Sequence, residues 1–175
     1  MNTNELSALC GIGLIAAAVF QFTSAFADED QPIEVSGEID GEAITWQIER
    51  DTRAPSVVFS TITPGTHQFR INAYRDDRFR REGSLSLDLL ISDGEVRSVD
   101  LLFFPFSPQH PRFSYGDDHG TGEITLHSLD IHSNSAHLVA SFSGELHYHQ
   151  SPRTQPISHR TRQISLSINV TALRE

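Results

Sequence analysis

The sequence predicts an all-β domain, an antiparallel β-sandwich or else an open β-barrel, of about eight or nine hairpin-connected strands. Three observations carry this. Apolar and polar residues alternate with a period of two through most of the chain. Turn pairs such as Asp40-Gly41 and Asp93-Gly94 separate the alternating runs. Nothing after Ala27 shows the spacing of an amphipathic helix.

The first 27 residues stand apart. From Leu6 to Ala27 there is no charged side chain, and Ser24-Ala25-Phe26-Ala27 precedes the acidic Asp28-Glu29-Asp30. Small residues at alternate positions after an apolar run predict a signal peptide, residues 1–27, cleaved after Ala27. Met1–Glu5 contains no Lys or Arg, and an uncleaved membrane anchor is the alternative, because 22 uncharged residues match the roughly 20 that span a bilayer. Cleavage leaves 175 − 27 = 148 residues, enough for a single domain, 28–175, to bury its own core. The sole cysteine, Cys10, falls within the predicted signal, so the exported domain is expected to have no disulfides and no thiolate chemistry. Ser7-Ala8-Leu9 ahead of it does not form a lipobox.

Charge narrows the partners. Removing Glu5 from the 23 acidic residues leaves 22 against 13 basic ones, a formal charge of −9, which disfavours nucleic acid. All 13 basic residues are arginine, so lysine nucleophiles and Schiff bases are excluded. The expected localisation is periplasmic or extracellular, with an unknown envelope or extracellular ligand and no membrane span in the mature chain unless the signal stays attached.

The strands follow in order. Ile33, Val35, Gly37 and Ile39 share one face, as do Ile44, Trp46 and Ile48 beyond Asp40-Gly41. That pair suits a type I′ turn, in which both central residues take positive φ; a two-residue loop sets Gly37 against Ile44, Val35 against Trp46 and Ile33 against Ile48. A second hairpin runs from Val57–Ile62 through Pro64-Gly65 to Phe69, Ile71 and Ala73. A third joins Leu85, Leu87, Leu89 and Ile91 to Val99, Leu101 and Phe103. A three-residue loop, Ser92-Asp93-Gly94 with Gly94 left-handed, is expected there, pairing Leu87 with Val99 and Leu85 with Leu101.

From Pro105 to Gly122 the proline and glycine content predicts the longest loop of the chain. Its Phe106, Phe113, Tyr115, Asp117, Asp118 and His119 form a candidate contact surface. Ile124 and Leu126 then give way to Leu129 and Ile131, a change of parity that predicts a bulge at His127-Ser128. Leu138, Ala140, Phe142, Leu146 and Tyr148 face one way in the next strand, and His137, Ser141, Ser143, Glu145, His147 and His149 the other. The last strand carries Ile164, Leu166, Ile168, Val170 and Ala172 on its apolar face.

Eight of the nine histidines lie between His110 and His159. Because alternate side chains on a strand share a face, Glu145, His147 and His149 project together, and imidazoles at this spacing suit zinc or copper. His137, His159 or the acidic loop would supply a further ligand. The contrasting reading is a polar sheet face on which histidine is simply solvated, or one whose charge responds to pH. Asp117-Asp118-His119-Gly120 has oxygen ligands but not the ligand order of a calcium loop, and Arg75–Glu82 balances four positive against three negative side chains.

No nucleophile elbow, zinc-protease helix motif or phosphate-binding glycine loop occurs. A non-enzymatic exported binding or accessory protein of the bacterial envelope is therefore the leading expectation. A periplasmic zinc- or copper-binding protein is the second, and a secreted hydrolase without a recognisable motif the third.

Overall fold

A computed structural model describes residues 34–49, 55–76, 80–106, 110–116, 120–151 and 153–175. The predicted signal and its cleavage point, Ile33, and the loop residues Asp117, Asp118 and His119 lie outside the described residues. The described chain is all-β: ten strands in a single mixed sheet. They are β1 (Glu34–Ile39), β2 (Glu42–Trp46), β3 (Val57–Thr63), β4 (Thr66–Ala73) and β5 (Ser84–Ser92), then β6 (Glu95–Phe104), β7 (Arg112–Tyr115), β8 (Thr121–Ile131), β9 (Ser135–His149) and β10 (Ile157–Arg174).

Neighbours run β2-β1-β10-β3-β4-β5-β6-β7-β9-β8, and β10 also pairs with β9, so the hydrogen-bonded pairs from β10 through β3 to β7 and β9 close into a circuit. Two long strands make this possible by changing partners along one edge. β9 pairs with β8 over Ala136–Glu145 and then with β7 over His147–His149. β10 pairs with β1 over Ile164–Asn169 and then with β3 at Leu173 and Arg174. The β10–β3 contact is parallel, so the expected wholly antiparallel arrangement is corrected at this one junction. Strands that follow one another through a short turn must run antiparallel; β3 and β10 are far apart in sequence and escape that constraint.

The first hairpin has the predicted register: Val35 faces Trp46 and Gly37 faces Ile44, with φ of 52° at Asp40 and 82° at Gly41. Gly37 is also required by space, because a Cβ there would collide with the Ser165 carbonyl oxygen. The predicted bulge in β8 is present, since Leu126 faces Ala140 and Ser128 faces Val139, leaving His127 between them.

Two expectations need correction. The β5–β6 hairpin has a two-residue loop, not three: Ser92 faces Glu95, and Asp93 and Gly94 both have positive φ, 54° and 79°. The register then shifts between Leu90 and Ile91, so Leu87 faces Leu101, not Val99, and Leu85 faces Phe103. Asp-Gly suits the tight turn that matches strand twist, and the bulge moves Val99, Leu101 and Phe103 back to the core while Val96 packs beside them. The second correction is in the predicted loop, where Arg112–Tyr115 is strand β7. Phe113 meets Phe103 on one side and Tyr148 on the other, burial and pairing that outweigh the local breakers.

A single apolar cluster draws on nearly every strand. Phe59, Phe69, Phe142, Leu101, Leu138 and Ile168 are among its fully buried members. Trp46, only 1% exposed, ties the β2 edge into it and donates its indole N–H to the Gly83 carbonyl at 2.9 Å. Trp46→Phe keeps an aromatic ring but removes the indole's five-membered ring and its donor, taking this hydrogen bond from the Gly83 carbonyl and leaving a small void. A loss of about 1–3 kcal/mol is expected in urea denaturation followed by far-ultraviolet circular dichroism.

Candidate functional site

The solvent-facing side of β2-β1-β10-β9-β8 is built in register. One row across the five strands reads Thr45, Ser36, Ser167, Ser141 and Thr125, a hydroxyl at every position. The adjacent row reads Ala43, Glu38, Ser165, Ser143 and Glu123. Alternation puts these residues outward because Val35, Leu166, Ile168, Ala140 and Phe142 face the core.

Two cavities lie on this side. One of about 540 Å³ is lined by Ser36, Glu38, Thr45 and Ser167 among others. Another of about 290 Å³ is lined by Glu123, Thr125, Ser141 and Ser143. Ser165 and Leu166 line both, so the two adjoin as one shallow trough across the strands. Among its described lining residues the only charged side chains are Glu38 and Glu123, and there is no arginine. The nearby Arg162 is held at the hairpin end by Asp40, 2.7 Å away.

Planar polar side chains flank the trough and are fixed by one another. Along one long side Gln163 Nε2 donates to Glu145 Oε2 at 2.8 Å, and His147 Nε2 lies 3.3 Å from Glu145 Oε1. Along the other, His137 Nε2 donates to Asn169 Oδ1 at 2.7 Å, and His127 Nε2 and Ser141 Oγ share a hydrogen bond of 2.9 Å.

The histidines predicted to share a face are thus engaged with different partners. His149, 9% exposed, lies beside the buried Ser114, with Nε2 and Oγ 2.7 Å apart. Glu145 and His147 converge, whereas His137 hydrogen-bonds across β9 and β10. Among the described residues no group of three or more His, Cys, Asp or Glu side chains is placed to hold one metal ion. Of the predicted contact residues, Phe106 is 70% exposed, Phe113 is buried, and Tyr115 packs edge-on against Phe142.

Ser114 and His149 have the pairing of a nucleophile and base. Ser114 is only 2% exposed, and neither cavity touches it. Beside this pair, His110 Nε2 and Arg112 Nε are buried without hydrogen-bond partners. Burial, and secondarily the Arg112 charge, lower the His110 pKa below the usual imidazole value.

Neither known protein families nor curated proteins match this chain. Identity of fold and site therefore rests on the residues themselves.

The row across β3, β4, β5 and β6 differs in chemistry. Val58, Arg70, Asp88 and Asp100 form one register row there. Burial raises the Asp88 pKa above the ordinary aspartate value; Arg70, 3.6 Å away, opposes the rise and Asp100 adds to it. The folded state therefore binds more protons than the unfolded state just above the unfolded pKa, so this carboxyl makes stability fall as pH rises through that window. Asp100→Asn removes a like charge directly opposite. It is expected to stabilise the fold at neutral pH by about 0.2–1 kcal/mol and to lessen this fall of stability with rising pH, as read from denaturation midpoints between acid and neutral pH.

Proposed function

We propose that this is an exported, non-enzymatic binding protein of the bacterial envelope, and that the trough across β2-β1-β10-β9-β8 is its ligand surface. On this reading the circuit of strand pairs is a β-sandwich closed at two corners, where β9 and β10 change partners. The carrying observation is that both cavities lie on one solvent-facing side and share Ser165. Most outward side chains there are short and hydroxylated, Glu38 and Glu123 excepted, and Gln163, Glu145, His137 and Asn169 beside them are held by hydrogen bonds. Such a surface loses little conformational entropy when a ligand settles on it. The exposed Phe106 lies outside the trough lining and is a secondary contact candidate.

Retention of the labelled protein on isolated cell envelopes tests this. Wild type and a Ser98→Arg control on β6 are expected to sediment with envelopes, and Ser165→Arg to remain in the supernatant. Equal sedimentation of all three, or of none, would overturn the trough as the ligand surface.

Zinc or copper binding is the second reading, favoured by the convergence of Glu145 and His147. It requires His149 to exchange its Ser114 partner for the metal. Titration of zinc into the tag-free protein is expected to show one site, lost in His147→Ala; no heat above that of the variant would remove this reading.

A further inference from the structure

We infer that the ligand of the trough is a neutral glycan chain lying across the strands, an inference that rests on the trough being the binding surface. Four observations select this class. The first is hydrogen-bonding character. A row of hydroxyls from Thr45 to Thr125 can both donate and accept, which matches a ligand whose own groups are hydroxyls.

The second is charge. Glu38 and Glu123 are the only charged lining residues, so the surface repels anionic polymers while each carboxylate can accept charge-assisted hydrogen bonds from sugar hydroxyls. In the register row Glu38-Ser165-Ser143-Glu123, the two carboxylates are separated by two serine-bearing strands. The third is the lack of apolar anchors. Phe142, the one aromatic residue in the lining, is 1% exposed and belongs to the core, so the outward-facing lining offers none of the aromatic and arginine anchors in which a protein interface concentrates its affinity.

The fourth is extent. Five strands at about 4.8 Å spacing give a track of roughly 19 Å, longer than a single sugar and suited to a chain. Its two ends are open, because β2 and β8 are the outermost strands of the run. A chain can therefore pass through the trough and continue beyond both edges.

Affinity electrophoresis of the full chain, in gels containing a neutral soluble polysaccharide or an anionic one at equal mass, tests the inference. Neutral β-glucan, galactomannan and starch serve as the neutral set, and polygalacturonate as the anionic control. Retardation by at least one neutral polymer and not by polygalacturonate is expected, with apparent affinity reduced about tenfold or more in Ser165→Arg and in Thr125→Arg. Thr125 is exposed on the outermost strand, so its variant keeps the test intact if Ser165→Arg does not fold. Retardation by polygalacturonate alone, or by no polymer, overturns the glycan inference; envelope retention that still depends on Ser165 would then leave the binding surface standing. Neutral-polymer retardation that survives both substitutions overturns the trough together with the glycan.

Discussion

The pairing of β9 with β10 is the constraint on which the rest of the fold depends. These are the two longest strands, and their register runs from Tyr148–Ile157 to Ser135–Leu173 with one irregularity. Each has a second edge longer than any single neighbour can cover. β8 and β7 divide the edge of β9, and β1 and β3 divide that of β10. An uncovered edge presents unpaired backbone groups that recruit other chains. Changing partners along a strand removes most of that exposure and joins the pairs into a circuit around one core. The parallel β10–β3 contact occurs at one of these junctions.

Much of this was legible from residues that local rules govern. Asp40-Gly41 set the first hairpin and its register, because few pairs accept positive φ at both positions. The parity change from Leu126 to Leu129 is enough to locate the bulge at His127. The same signal was present between Val96 and Val99, and it marks the bulge that restores the β5–β6 register, but a longer loop accounts for the same strands if Val96 is left out. β7 was hidden for another reason: Pro111 and Gly116 bracket it, and its strand character comes from Phe103 and Tyr148 on its two sides. Tertiary partners decided that segment, and a single sequence does not display them. Neither does it display that β3 and β10 meet.

The candidate site shows a similar division. Alternation identified the outward residues of β9, and the structure places Glu145, His147 and His137 as that pattern implies. It did not reveal that His149, on the same side, is covered by β7 and joined to Ser114. The hydroxyl rows were invisible for a geometric reason. Ser36, Ser167, Ser141 and Thr125 are scattered through the chain, and only register brings them side by side. Individually each is an ordinary polar residue on a strand. Their common feature is position, and position across strands is a property of pairing.

The place of β1 has a kinetic consequence. Glu34 pairs with Asn169, and the whole of β1 lies against the middle of β10. Every intervening hairpin can form from neighbouring sequence, and the β1–β2 ribbon can meet them at the Gln47–Tyr74 bridge, but the edge of β1 itself has no partner until β10 has been added. Topologies with such distant pairings fold slowly, because the chain must close a long loop before the contact returns any free energy. The edge of β1 therefore waits unpaired while the hairpins between form, and β10, the last of the ten strands, closes it.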